Sequence, residues 1–172
     1  MVTPNIQQAL ETQVACFAGI GHPDLLARFI LRNGTLREGA ERPTHIPKMK
    51  DKECFCNATH LALENSRTLR YVEGYALSSI GMPVHHAWCE TRSGVVVDPT
   101  WRDPALCSYM GVRLDTKQLL RWMNTLGVYG VLDTGTGLNS VFMFQKDPEL
   151  EATVMAIVNQ PKPQVSYHQD AG

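Results

Sequence analysis

The chain lacks the features that mark membrane-spanning, secreted or nucleic-acid-binding proteins. No apolar run among its 172 residues approaches 18, so no segment is predicted to span a membrane. Sixteen Lys and Arg residues nearly balance seventeen Asp and Glu residues. This balance leaves no global field that would attract nucleic acid or anionic lipid. The first residues also lack the basic stretch and apolar run of a secretory signal.

The chain has five cysteines, an odd number that does not suggest a disulfide scaffold in a chain of this length. The five are Cys16, Cys54, Cys56, Cys89 and Cys107. We therefore expect free thiols in a cytoplasmic protein. The length suits one domain, which we place at residues 1–160. The polar, proline-bearing stretch 161–172 is predicted to be a disordered tail.

Hydrophobic patterning predicts helices toward both ends and strands between them. Helices are expected over 5–18, 24–32, 115–126 and 148–158. The hydrophobic pattern is lost over residues 34–52, which we interpret as a long connection. Because it leads directly to Cys54, it could form one wall of an active site. Asp51 is the predicted N-cap of a further helix that runs to about Asn65. Strands are expected over 69–77, 84–90, 94–99, 109–114 and 128–132, so the predicted fold class is α+β.

A cysteine lies at the start of that central predicted helix. Only the thiolate form of cysteine is a useful nucleophile. In the first helical turn, Cys54 would meet unpaired backbone N–H groups and the positive end of the helix dipole, and both favour an anion. The same N–H groups can contribute to an oxyanion hole. Glu53 opposes the thiolate modestly, so a neighbouring imidazolium is also needed.

A histidine and an aspartate lie on two neighbouring predicted strands. If the chain turns near Arg92, His86 is directly opposite Asp98, and directly opposed side chains share one face of a sheet. Asp98 could then accept a hydrogen bond from His86 and leave the second ring nitrogen for Cys54. A slip of one residue would place the two side chains on opposite faces.

These segments resemble the transglutaminase-like branch of the papain-like cysteine peptidases and amidases, most closely its small bacterial and phage-type proteins. The resemblance lies in Cys-Phe-Cys-Asn at 54–57, Tyr-Val-Glu-Gly-Tyr-Ala at 71–76, His-Ala-Trp at 86–88 and Asp-Pro-Thr-Trp at 98–101. It implies helices, one bearing the cysteine, packed on an antiparallel sheet. It further implies Cys54 as nucleophile, His86 as general base and acid, and Asp98 as the orienting group.

The resemblance also implies a reaction. The thiol would attack an amide or ester carbonyl, form a thioester, and pass the acyl group to water or an amine. Hydrolysis of an amide, peptide or isopeptide bond is favoured, because the acidic calcium-site cluster of the large animal transglutaminases is not evident. The expected partner is a protein, peptide or small amide substrate, with no nucleic acid, membrane, cofactor or metal. A side chain between Pro43 and Lys50 is our expectation for a second oxyanion donor.

Alternatives exist within the motif. Cys56 competes with Cys54, although two residues apart on a helix they point about 200° away from each other. His85 competes with His86, but adjacent strand residues face opposite ways. Asn57 either supports the site or bonds locally near the helix start. Trp88 and Trp101 are more typical of core or pocket wall than of catalysis.

Two other functions compete with hydrolysis. The first is a zinc site, since Cys-x-Cys followed by histidine is chemically suitable for that metal. Its ligands would come from Cys54, Cys56, His60, His85 and Cys89. The second is a binding protein on the same scaffold, in which the three residues are present but unused. Its cysteine would then show ordinary reactivity.

Overall fold

A computed structural model of the chain describes residues 5–20, 24–77 and 80–132, and this part has an α+β fold. Its helices are α1 (Ile6–Gly19), α2 (Leu25–Asn33), α3 (Cys54–Glu64) and α4 (Thr116–Leu126). Its strands are β1 (Thr35–Glu38), β2 (Leu69–Leu77), β3 (Pro83–Thr91), β4 (Val96–Val97) and β5 (Ser108–Leu114). The predicted helix over 148–158 and the predicted tail lie outside the described residues.

Three of the helices begin with a capping side chain. Asn5, Asp24 and Asp115 precede α1, α2 and α4, and each accepts a hydrogen bond from a first-turn backbone N–H. Gly127 ends α4 with a φ of 70°, a left-handed conformation that glycine adopts without a Cβ clash. Among the described residues no helix is long and apolar enough to cross a membrane.

All strand pairs are antiparallel, in the order β1-β5-β2-β3-β4. Strands β2 and β5 meet at a pair of glycines, because Gly74 is opposite Gly111. A Cβ at Gly111 would lie 2.6 Å from the Trp88 ring, so this position admits only glycine without displacement of the ring. The predictions for β2, β3 and β5 are confirmed to within one residue at each end.

Three predictions about strands are wrong: one strand was missed, one is shorter than expected and one is absent. The connection predicted at 34–52 contains β1, an edge strand whose partly exposed residues show no alternation. The strand predicted at 94–99 is reduced to Val96–Val97. No strand forms at 128–132, because the backbone N–H groups of Val131 and Leu132 donate to the Glu73 carboxylate, each at 2.8 Å. That buried carboxylate satisfies the two donors in place of a neighbouring strand.

The core lies on both faces of the sheet. Helices α1, α2 and α3 pack on one face, against β2, β3 and β5. On the opposite face a smaller cluster is completed by two residues from the β4–β5 connection, Trp101 and Cys107. Its strand residues are Val72, Ala76, Trp88, Val96 and Tyr109. The β4–β5 connection, which begins with Asp98, therefore belongs to the packed structure.

Candidate active site

Helix α3 begins at Cys54 itself, so the expectation of a thiol in the first turn is confirmed. The prediction of Asp51 as N-cap is wrong. Glu53 occupies that position and makes no side-chain capping bond, whereas Asp51 pairs with Lys48. The Asp51 carboxylate is thus engaged in an exposed salt bridge before the helix and does not cap it. No capping bond from Glu53 therefore competes for the first-turn N–H groups beside the thiol.

The chain turns sharply just before α3, and charged side chains in this segment form ion pairs. Lys52 has a φ of 65°, a left-handed conformation that is uncommon for a residue with a side chain. Lys50 forms an ion pair with Glu53. Because this lysine offsets the carboxylate next to Cys54, Glu53 opposes a thiolate less than its position in the sequence suggests.

His86 and Asp98 are in direct contact, although not through the predicted register. The Nε2 atom of His86 lies 2.8 Å from Oδ2 of Asp98. Strand β3 pairs with β4 two residues away from the expected alignment, with Glu90 opposite Val96, and pairing stops at Val97. A shift of two residues keeps side chains on the same face of a sheet, so the predicted contact forms despite the wrong register.

The Asp98 carboxylate is completely buried and accepts four hydrogen bonds. Oδ1 accepts from the backbone N–H groups of Thr100 and Trp101, at 2.7 and 3.1 Å. Oδ2 accepts from the Tyr109 hydroxyl at 3.0 Å, in addition to its bond with His86. Burial raises the pKa of Asp98, but its hydrogen bond with His86, the histidine charge and the two backbone donors outweigh burial and lower it. The carboxylate is therefore ionised at neutral pH.

The negative charge of Asp98 stabilises the protonated form of the His86 imidazole. Burial lowers the pKa of His86, but hydrogen bonds with Asp98 and Cys54, and the negative charges of both, raise it from 6.5 to about 9. Trp101 covers the ring, with centroids 4.5 Å apart and planes inclined by 29°. His86 thus lies against the Asp98 carboxylate with the rings of Trp101, Trp88 and Tyr109 beside it, and it is held as an imidazolium at neutral pH.

The Cys54 thiol is the third member of the candidate site, after Asp98 and His86. Burial raises its pKa, but the hydrogen bond and charge of His86 and a bond from the Ala87 backbone N–H outweigh burial and lower it. Among the described residues, pairing of β4 with β3 stops at Cys89 opposite Val97, which leaves the Ala87 N–H to donate to the sulfur. Since Nε2 of His86 is bound to Asp98, Nδ1 is the nitrogen that remains for the sulfur.

The connection before α3 is held against the Asp98 segment. Arg42 donates to the Trp101 carbonyl at 2.8 Å, and the Met49 N–H donates to the Pro99 carbonyl at 2.7 Å. The Asn57 amide bonds both locally, to the Lys50 carbonyl at 2.7 Å, and across the fold, to the Thr100 hydroxyl at 3.0 Å. The local interpretation of Asn57 is therefore confirmed, whereas its support of the site stays a prediction. The second oxyanion donor expected between Pro43 and Lys50 stays a prediction.

The structure also separates the competing residues. Cys56 points toward Tyr129, whose hydroxyl lies 3.2 Å from His60. His85 lies on the opposite face of β3 from His86, with Nε2 3.3 Å from the buried Glu73 carboxylate. Cys89 donates to the Ala58 carbonyl under α3. Within residues 5–20, 24–77 and 80–132 no group of three or more His, Cys, Asp or Glu side chains is placed to hold a metal ion.

Sequence reasoning missed the residues that surround Asp98. Tyr109 was predicted only as the first residue of a strand, and Arg42 only as part of a polar connection. Neither belongs to a motif, so no signal in one sequence could have identified them. Trp101 forms a wall over His86, which agrees with its interpretation as a pocket residue.

Comparison with the models of known protein families, with curated proteins and with solved structures finds no match to this chain.

Proposed function

We propose that this protein is a cysteine-dependent acyl-transfer enzyme that hydrolyses an amide, peptide or isopeptide bond through a thioester. The observation that carries the proposal is the contact chain from Cys54 through His86 to a fully buried Asp98. Three other donors, the backbone N–H groups of Thr100 and Trp101 and the Tyr109 hydroxyl, already satisfy this buried carboxylate, so it has no need of a histidine. Its bond to His86 is better explained as a means of keeping the imidazole charged and oriented.

In the first half of the reaction, the Cys54 thiolate attacks the substrate carbonyl carbon. The new C–S bond forms as the carbonyl electron pair moves to oxygen, where N–H groups at the start of α3 are suited to stabilise the negative charge. When the oxyanion collapses, the C–N bond breaks. The proton on His86 Nδ1 goes to the leaving nitrogen, which departs as a neutral amine and leaves a neutral imidazole.

In the second half, water replaces the amine. Neutral His86 removes a proton from a water molecule while the water oxygen attacks the thioester carbon. Collapse of this second tetrahedral intermediate breaks the C–S bond and releases a carboxylic acid. The thiolate and the imidazolium are restored together, so the cycle needs no cofactor. Asp98 stays ionised throughout and stabilises the imidazolium in both halves.

The arrangement supports membership of the transglutaminase-like branch of the papain-like enzymes. A helix-start cysteine, a strand histidine and an aspartate just after the next strand occur here in that chain order. Water rather than an amine is the proposed acceptor, since no acidic calcium-site cluster is evident in the sequence. The expected cytoplasmic location and the protein, peptide or small amide substrate belong to the same proposal.

The test is hydrolysis of a chromogenic ester and a panel of peptide amides by three proteins. The wild type and Cys56→Ala are expected to release product at similar rates, whereas Cys54→Ala is expected to release none above background. Cys56→Ala is a matched control because it removes a thiol two residues away on the same helix. Equal rates for the wild type and Cys54→Ala would overturn the proposal.

A further inference from the structure

Tyr109 shares an oxygen of Asp98 with the proposed catalytic histidine. Its hydroxyl donates to Oδ2 of Asp98 at 3.0 Å, and His86 Nε2 lies 2.8 Å from the same atom. Tyr109 is completely buried on β5, across the sheet from the helix that carries Cys54. Strand pairing places Tyr109 opposite Ala76, and so on the face that also carries Trp88 and His86.

The direction of this hydrogen bond follows from the groups present. An ionised carboxylate can only accept, so the single hydroxyl proton of Tyr109 points to Asp98. The Cys107 thiol lies within hydrogen-bonding distance of the same hydroxyl, but it donates to the Asp103 carbonyl at 3.4 Å. Burial first, and then the charge of Asp98, raise the pKa of Tyr109, so the hydroxyl keeps its proton.

When two donors bind the same carboxylate oxygen, each hydrogen bond weakens the other. A hydrogen bond to an ionised acceptor is stronger than a neutral one, and each such bond leaves less charge for the next donor. Oδ1 is already occupied by two backbone N–H groups, so Tyr109 is the donor whose presence can change the charge on Oδ2 without moving the backbone.

We propose that Tyr109 is a positioning residue that limits how tightly Asp98 holds the proton of His86, so that the imidazolium can release a proton to the leaving amine. The inference rests on the proposed function. Among the described residues, the titratable groups that contact His86 are Asp98 and Cys54, and the rings beside it belong to Trp88, Trp101 and Tyr109. Tyr109 is the one among these that acts through Asp98.

The experiment is an NMR titration of the His86 ring in the wild type and in Tyr109→Phe. Loss of the hydroxyl leaves more charge on Oδ2, so the pKa of His86 is expected to rise by about half a unit to one unit. If the enzyme is active, the acid limb of kcat shifts the same way, because deacylation requires neutral His86. Tyr71→Phe is the matched control, since Tyr71 is also buried and donates to a carboxylate, Oε2 of Glu73, at 2.9 Å.

The outcomes separate this inference from the proposed function. An unchanged or lowered His86 pKa in folded Tyr109→Phe, or an equal rise in Tyr71→Phe, would overturn the role of Tyr109. If Tyr109→Phe does not fold, 3-fluorotyrosine at position 109 is a second probe. Its stronger donor is expected to lower the pKa of His86, and a rise would refute the inference. Absence of any hydrolysis, with the titration shift intact, would refute the proposed function alone.

Discussion

Replacement of Asp98 by asparagine should uncouple the thiol from the imidazole. The surroundings raise the pKa of His86 from 6.5 to about 9. Each unit corresponds to about 1.4 kcal/mol, so they favour the imidazolium by about 3 kcal/mol. Asp98 supplies a large part of this through its charge and its bond to Nε2. In Asp98→Asn the burial of His86 is no longer outweighed, and its pKa should fall to the ordinary value or below.

The effect on Cys54 follows from the same balance. Without an imidazolium beside it, burial raises the pKa of the Cys54 thiol toward or above its ordinary value of 9.0. Carbamidomethylation of Cys54 by iodoacetamide, followed by peptide mass spectrometry across pH 5–10, measures this shift. At neutral pH we expect the rate to fall by about one to two orders of magnitude, as expected for a shift of one to two pKa units.

Asp103→Asn is the matched control, because Asp103 is exposed on the same connection. It removes one negative charge without touching His86, so the labelling profile should stay that of the wild type. A profile for Asp98→Asn that coincides with the wild type would refute the coupling. A decrease of similar size in Asp103→Asn would show that the effect is long-range charge rather than the contact with Asp98.

Cys54→Ala leaves His86 without its thiol partner. Because the pKa of His86 is higher in the folded state than in the unfolded state, its protonation stabilises the fold. This contribution is complete below pH 6.5 and is lost as the pH rises through the folded-state pKa. Because Cys54 itself supplies part of the raised His86 pKa, the variant keeps only the part due to Asp98. Urea unfolding should therefore show stability falling above pH 6.5 by less than about 3 kcal/mol, and a flat profile would contradict the prediction. In Gly111→Ala the new Cβ meets the Trp88 ring, so the free energy of unfolding should drop by at least about 2 kcal/mol, and an unchanged urea midpoint would refute the packing argument. Glu73→Gln turns an amide N–H₂ toward donors at Val131 and Leu132 and should cost about 2–4 kcal/mol, whereas wild-type stability would show that this carboxylate is not required.

The strand and helix pattern could be predicted where one physical signal dominated. Strands β2 and β5 are neighbours inside the sheet and are almost wholly buried, so apolar and aromatic residues predominate in both. Helix α4 carries both its Asp115 cap and its Gly127 stop in the sequence. By contrast, β1 forms because β5 offers it an edge, and the four residues of β1 show no alternation of their own.

The candidate site was predictable in its members but not in its geometry. Period-two alternation places His86 and Asp98 on one face for any even shift, so the contact formed although the register was wrong by two residues. The position of Cys54 beside His86 depends on how α3 packs on the sheet, which no local pattern encodes. The Tyr109 bond needs the β5–β2 register as well, and it became visible only in three dimensions.

The central claim is that Cys54 carries an acyl group during turnover, and intact-mass analysis after a brief incubation with an activated ester tests it most directly. We predict a mass gain of one acyl group on the peptide that contains Cys54, its removal by neutral hydroxylamine as expected of a thioester, and its absence in Cys54→Ala. The adduct should persist in Cys56→Ala. A folded protein that gains no acyl group at Cys54, or gains it equally at the exposed Cys16, would contradict the account.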